Sequence, residues 1–465
     1  MSGSPLPERP RVHLPVVERA SSLRTDGTRA HIIPADVSGR FTRARHIVFG
    51  VLLAIGVAMP LIRIDGRPAV FLDVQDRRFF VFGESFNAQD GGLLFFVLSG
   101  LGFGLLVLTT TLGRVWCGWT CPQTVLLEGL FRPIERFIDG PRNARLKRAD
   151  EPLTWDRALR TVAKHAAFAV VALLVAHLVL AYFVSMPSLG TMLLDGPAAH
   201  LEAFAWSSGV GVALYVHAAW FREQLCLIVC PYGRLQSVLT DDDSLVVGYD
   251  DRRGEPRGHG KQRTGLGDCV DCGRCVAVCP TGIDIRHGLQ VDCIGCTQCI
   301  DACDEIMTKL DKPRGLIRYD SLRGLRAEPR RFWRPRLGFY AVLGVLGVIA
   351  LGLAVMRHQP LEATLLRDRG ALFIVDGDVV RNTFAIHIVN KLDAPVTVTI
   401  EPLDLPAGVD VDVAPHFDLA ALESERAPMV VRFRRGAHRG TQHVRVRVAA
   451  GEAVIVLDAP ILGPL

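Results

Sequence analysis

A chain of 465 residues that is 49% hydrophobic and only 22% charged is more apolar than a soluble domain of that size, so membrane spans are the first feature to seek. Its formal net charge of +5 forms no concentrated basic face of the kind nucleic acid requires. All 12 cysteines lie between positions 117 and 303, which suits a reducing compartment and metal binding better than a disulfide framework.

Residues 1–45 hold eight arginines and five prolines but no apolar run. They predict a cytoplasmic tail, without the charged-then-apolar layout of a cleavable signal. From His46 to Ile62 no Lys, Arg, Asp or Glu occurs, and a first span is predicted there, with room to extend to Ile64. Gly91 to Gly113 is uncharged throughout and predicts a second. At its end stands RVWCGWTCPQ, in which Cys117 and Cys121 form a C-x3-C pair followed by Pro122. The stretch PQTVLLEGLFRPIERFID, 122–139, mixes apolar and charged positions at helical spacing, as in a helix lying along the cytoplasmic membrane surface. A third span is predicted at 164–184 and a fourth at 203–221. Beyond the fourth comes FREQLCLIVCPYGR, where Cys226, Cys230 and Pro231 repeat the C-x3-C-P spacing.

Positions i and i+4 share a helix face, so each pair would present two sulfurs together, with the prolines breaking the helix just afterward. If spans two and four are neighbours, four thiols meet at the membrane edge, and thiolates favour soft ions, copper(I) foremost. The plainer alternative is four small buried hydrophobes, a common role for cysteine.

Cys269, Cys272, Cys275 and Cys279 have the spacing C-x2-C-x2-C-x3-C-P, and Cys293, Cys296, Cys299 and Cys303 repeat it with Asp304 in the proline's place. Three closely spaced thiolates wrap three corners of a cubane, and the distant fourth closes the opposite cluster. That assigns Cys269, Cys272, Cys275 and Cys303 to one 4Fe-4S cluster, and Cys293, Cys296, Cys299 and Cys279 to a second. Structural zinc would show separated C-x2-4-C pairs instead. Arg323, Arg326, Arg330, Arg331, Arg334 and Arg336 then precede a fifth span, Leu337 to Met356. Because that strip abuts a span, it fits topology or lipid-headgroup contact better than a nucleic-acid patch.

After Met356 the period changes to two. VVRNTFAIHIVN, VTVTI, VDVDV, MVVRFRR, HVRVRV and AVIVLD, separated by turn signals, predict an all-β sandwich. No Cys pair or Trp marks it as an antibody-type domain. His387, His416, His438 and His443 are predicted on its surface. Within the spans, His177 and His217 are candidates to ligate haem or copper or to take a quinol proton, against the alternative of a hydrogen bond to a neighbouring helix. No dinucleotide or Walker fingerprint appears, so NAD(P), FAD and ATP are not signalled.

Nine Lys/Arg lie in 114–160 and none in 185–202. The positive-inside rule therefore places the N-terminus, 114–160 and 222–336 in the cytoplasm and the C-terminus outside. The predicted architecture is a polytopic α-helical membrane protein of about five transmembrane helices, four within 46–221 and one at 337–356. A cytoplasmic two-cluster ferredoxin-like domain fills 222–336, and a C-terminal immunoglobulin-like sandwich fills 357–465.

The motifs WCGWTCPQTV, FREQLCLIVCPYGRLQSV, CPTGIDIRHGLQ and CIGCTQCIDACDEIM, with five spans and an outer β domain, resemble the cytochrome c oxidase accessory family known as CcoG, FixG or RdxA. The ending DACDEIM is usual in that family and accounts for Asp304, whereas Ala88 in FNAQD departs from an expected proline. The resemblance implies a membrane polyferredoxin of the bacterial inner membrane, with the β domain in the periplasm. It further implies an oxidoreductase that converts Cu(II) to Cu(I) for the copper centre of cbb3-type oxidases. Its implied partners are oxidase assembly factors or an oxidase subunit, copper ions and the lipid bilayer. Cys117, Cys121, Cys226 and Cys230 are the candidate copper site. Two other functions fit the residues: a quinol dehydrogenase feeding another partner, and a non-enzymatic copper chaperone or assembly scaffold.

Overall fold

The computed structural model describes residues 32–64, 66–74, 78–87, 91–152, 154–259, 264–356, 361–367, 371–392, 394–436 and 442–463. The predicted tail before residue 32, Ala88 and His438 lie outside them. The chain divides into two compact units, Met1–Asp76 with Leu94–Ile349, and Arg77–Leu93 with Ala350–Leu465.

Among the described residues, four helices are long and apolar enough to cross a membrane: Arg40–Ala58, Gly92–Leu112, Trp155–Val184 and Pro335–Met356. Their exposed faces are lined by Ile47, Val51, Leu98, Leu101, Val345 and Ile349, as lipid-facing helices require. The expected span at 203–221 is not among them. It is a 16-residue helix, Leu201–Val216, that widens into a π-helical turn, His217–Phe221. That turn ends where Arg222 takes φ +50° and donates its N–H to the carbonyl of His217 five residues back, at 2.6 Å. The helix packs on Trp155–Val184 at Gly211, which lies against Ala176 and Leu173 and lets the two backbones approach.

The first helix begins at Arg40, six residues before the predicted span, because the cluster domain supplies its cap. Asp301 accepts from the backbone N–H of Phe41 and Thr42 (3.3 and 2.7 Å) and from the Thr42 hydroxyl (2.7 Å). Those N–H groups have no intrahelical partner, and a carboxylate there also meets the positive end of the helix dipole. Residues just upstream are seated as well: Ala35 N–H donates to Ala277 O at 2.7 Å, and Ala35 packs with Val278 and Ala302.

One further expectation changes. The 122–139 segment is helical, but its charged face is buried inside the unit instead of lying in water at a lipid surface. Leu127 and Phe131 pack on Phe168, Ala172 and Ala218. Glu128 pairs with Arg132 at 2.5 Å, and Glu135 pairs with Arg222 and Arg145, each at 2.8 Å. Burial alone would raise the Glu135 carboxyl, but those guanidinium groups, with Lys164 beyond them, hold it down at about 2. The arginine strip likewise has protein partners. Arg323 and Arg326 meet Asp243 and Asp242, Arg334 pairs with Asp241, and Arg330 and Arg334 donate to the carbonyls of Thr111 (2.8 Å) and Thr110 (3.0 Å). These carbonyls end the helix Gly92–Leu112, so the strip neutralises a helix C-terminus.

The second unit is a sandwich of two antiparallel sheets. One has the order Val409–Val413, Ser424–Arg434, Val379–Asn390, Leu361–Arg367, with Ile374–Asp376 also on Val379–Asn390. The other has the order His416–Leu419, Val396–Leu403, Gln442–Ala450, Ala453–Ile461. Alternate residues point inward, so Val380, Phe384, Ile386 and Ile388 of one sheet meet Val398, Ile400, Val444 and Val446 of the other. His416 and His443 are exposed as predicted, whereas His387 is half-buried. Replacing Phe384, fully enclosed in that core, with Ala should destabilise this unit by about 3–5 kcal/mol, read as a lowered thermal midpoint with the iron–sulfur absorption unchanged.

Candidate iron–sulfur and thiol site

The two cysteine runs fold as a repeat. In the first, Asp271 and Gly273 take φ of +51° and +65°; in the second, the equivalent Gly295 and Thr297 take +66° and +65°. Left-handed residues on either side of the middle cysteine curl each loop and turn its N–H groups inward, toward where an anionic cluster would sit. The N–H groups of Gly295 and Gln298 hydrogen-bond to the thiols of Cys293 and Cys296. Each run then enters a helix, Arg274–Ala277 or Gln298–Lys309, and the second carries Cys299 and Cys303 on successive turns. A short antiparallel pair, Val246–Tyr249 with Ile317–Asp320, backs the module.

The crossed pairing expected from spacing is what the fold brings together. One cavity is lined by Cys269, Cys272, Cys275 and Cys303. A second is lined by Cys279, Cys293, Cys296 and Cys299, with Cys275 on the wall shared by both. Burial pushes the Cys303 thiol up to about 12, and Cys275, Cys269 and Cys272 add to the rise. Burial pushes Cys296 up to about 12 as well, with Cys279 and Cys293 beside it. Such thiols ionise only when a metal takes the proton's place. Among the described residues no three His, Cys, Asp or Glu side chains stand close enough to hold a single ion. Four thiols disposed around a cavity fit a cubane, whose corners need only one thiolate each.

The C-x3-C pairs do converge, but not as faces of unbroken helices. Cys117 lies in the helix Val115–Trp119, and Cys121 is the extended residue before the helix Pro122–Leu126. Cys226 lies in the π-helical turn Leu225–Val229, and Cys230 is the extended residue before Pro231–Leu239. Both prolines therefore begin a helix where the sequence suggested that they end one. Proline at the first helical position loses nothing by lacking an N–H, and it forces the residue before it to be extended. The two turns are alike in detail: Cys121 N–H donates to Trp116 O (2.9 Å) and Cys230 N–H to Leu225 O (2.7 Å). Burial raises the Cys117 thiol to about 11 and the Cys226 thiol to about 12; Cys121 and Cys230 lie within electrostatic reach of both, and Cys117 of Cys226. Cys117 Sγ is 3.4 Å from Gln236 Oε1.

This thiol group adjoins the second cluster loop. A Cβ on Gly118 would stand 2.7 Å from the Gly295 carbonyl oxygen, and one on Gly295 would stand 3.0 Å from Arg114 O. Only glycine permits that backbone contact. Trp119 Nε1 donates to Tyr319 Oη (3.1 Å), which donates to Gly295 O (2.9 Å). Arg45, 1% exposed, donates Nε–H to Gly118 O at 3.0 Å, and Arg114 donates to Cys293 O and Gly233 O, each at 3.1 Å. None of these linking residues was evident beforehand; Arg45 and Arg114 had only marked the ends of apolar runs. The intramembrane histidines do not join the site. His177 Nδ1 bonds to Leu173 O of its own helix at 2.8 Å, and His217 packs on Phe221 with a buried, unpartnered Nε2.

Replacing Cys303 with Ala should abolish the Cys269–Cys272–Cys275 cluster and leave its neighbour, and Cys279→Ala should do the reverse. Each variant should hold about four irons per chain and lose the spin coupling of the reduced pair. Full iron content in either would contradict the crossed assignment.

Residues 221–322 match the 4Fe-4S dicluster domain, residues 93–141 a 4Fe-4S binding domain, and residues 351–460 the IG-like fold at the C-terminal of FixG. The chain is 36% identical over 430 residues to the nitrogen fixation protein FixG of Rhizobium meliloti, covering 82% of this chain and 80% of that one. It is 35% identical over 418 residues to protein RdxA of Cereibacter sphaeroides, covering 83% and 87%. Protein RdxB of the same organism is 36% identical over 401 residues, covering 80% and 83%. The chain is a polytopic membrane iron–sulfur electron-transfer protein and belongs to the FixG/RdxA family.

Proposed function

We propose that this protein reduces Cu(II) to Cu(I) at the thiol group of Cys117, Cys121, Cys226 and Cys230, in support of copper-centre assembly in a cbb3-type oxidase. The observation that carries this is that two separate C-x3-C-P turns hold four thiols within electrostatic reach of one another, with Gly118, inside the first turn, against Gly295 of the Cys293–Cys296 loop. The two 4Fe-4S clusters supply one-electron storage, and the chain supplies their ligands: Cys269, Cys272, Cys275 and Cys303, and Cys279, Cys293, Cys296 and Cys299. Copper is the substrate. Cu(I) is satisfied by as few as two thiolates, which one C-x3-C pair supplies. Each Cu(II) takes one electron, and no bond is made or broken on an organic substrate, so no base or nucleophile is needed. By the positive-inside rule the thiols and clusters face the cytoplasm, and the β-sandwich, on the periplasmic side, offers the surface for an oxidase subunit or assembly factor.

A second reading is favoured by the match of residues 93–141, which contain Cys117 and Cys121, to a 4Fe-4S binding domain. In it the same four thiols hold a further iron–sulfur cluster. Both readings are tested on anaerobic protein with clusters reduced and reductant removed, to which Cu(II) and a Cu(I)-specific chelator are added. Wild type should yield about two Cu(I) per chain, one per cluster. The variant with all four cysteines changed to Ser should keep about eight irons and reduce copper at least tenfold more slowly. Equal rates would remove copper from these thiols. About twelve irons in wild type, falling to eight in the variant, would establish the further cluster instead.

A further inference from the structure

The two cysteine sets lie in unequal electrostatic surroundings. Around the outer set, Cys272 is exposed; of the two arginines lining its cavity, Arg286 is already engaged by Asp284 at 2.6 Å and by Asp271, and Arg274 turns its guanidinium to the carbonyl of Asp36 at 2.8 Å. Asp304 adds a further negative charge next to Cys303, offset only by the largely exposed Arg40 at 3.9 Å. Around the inner set the balance reverses. Arg45 is buried on the first membrane helix, fixed to Gly118 O, and its charge acts on Cys296. Arg114 is fixed to the carbonyls of Cys293 and Val291 and acts on Cys293, with Asp292 as the nearby carboxylate.

Adding an electron to a cluster adds a negative charge. Burial by itself makes that addition harder, so an enclosed inner cluster without compensation would be the harder of the two to reduce. A permanent cation at the same depth opposes that penalty and is little screened by salt.

We propose that Arg45 and Arg114 set the order of the two clusters: their charge makes the inner one, on Cys279, Cys293, Cys296 and Cys299, the first to be reduced. An electron arriving from a one-electron donor protein at the exposed Cys272 edge then moves inward, the outer cluster being reoxidised as the inner one is reduced, with no proton transferred. It comes to rest at the loop that touches Gly118, beside the four thiols. Arg45 and Arg114 are positioning residues, since neither contacts a substrate. The inference rests on the ligand assignment above, but it is independent of which ion the thiols bind.

The test is a dithionite titration of the full chain in detergent, followed by electron paramagnetic resonance with and without a water-soluble dysprosium chelate. At one electron per chain, the wild-type signal should be nearly insensitive to the chelate, since the reduced cluster is the inner one. A signal strongly relaxed by the chelate would place the first electron on the exposed cluster and overturn the proposal without any variant. Arg45→Gln should then shift the electron's partition toward the outer cluster by about tenfold, which is about 59 mV for one electron, while Arg45→Lys keeps the wild-type partition. Arg114→Gln should shift it in the same direction. If Arg45→Gln and Arg114→Gln both retain two clusters and the wild-type partition, the arginines do not set the order. Copper reduction by the same samples is read separately, so failure of the order and failure of the copper reaction are distinguishable.

Discussion

The contact on which this site depends is steric: two backbones meet where neither has a side chain. Gly118, inside the first C-x3-C turn, lies so close to the carbonyl of Gly295, inside the second cysteine run, that a methyl group on Gly118 is excluded, and one on Gly295 would press on the Arg114 carbonyl. Gly295 is also held at φ +66°, so the same residue serves the curl of the cluster loop and its approach to the membrane edge. A soluble two-cluster ferredoxin needs only the first of these. The second joins the module to a membrane helix end, and that junction makes a relay between cluster and thiol group geometrically possible.

Around that contact the chain uses cations sparingly and with fixed partners. Arg45 and Arg114 donate to main-chain oxygens beside the inner cysteines, on which their charge acts. Further from the clusters, Arg132, Arg145 and Arg222 are matched by Glu128 and Glu135, and Arg323, Arg326 and Arg334 by Asp241, Asp242 and Asp243. Unmatched charge buried near the membrane is strongly unfavourable, which accounts for this pairing.

Much of the site was legible because its chemistry depends on residue type and spacing. Cubane ligation constrains four thiols so tightly that the crossed sets, Cys303 with the first run and Cys279 with the second, followed from the spacing and recur as the linings of two cavities. The sandwich was legible for a similar reason, since period-two alternation has one buried face. Where several structures share one local pattern, the sequence misled. C-x3-C-P is as compatible with a helix that stops as with one that starts, and only the extended backbone of Cys121 and Cys230 decides. The fourth apolar run is helical throughout, but its last turn, His217–Phe221, is π-helical, and the buried Arg222 follows it. Arginines at span ends carry a topological signal whatever else they do, so their partners in space had no separate trace.

The first membrane helix shows how these constraints interlock. Its N-terminus is capped by Asp301, which lies on the helix between Cys299 and Cys303, and one turn and a half later the same helix delivers Arg45 to Gly118. A shift of this helix along its axis would break the cap and withdraw the cation from Cys296 together. The cap alone could be supplied by any N-terminal Ser or Asp on the helix itself, as in most helices. Placing it instead on the cluster domain, 259 residues away in sequence, ties helix register to cluster position. The membrane helix is therefore part of the electron-transfer site, holding a charge at a fixed depth against the inner cysteines, as well as an anchor.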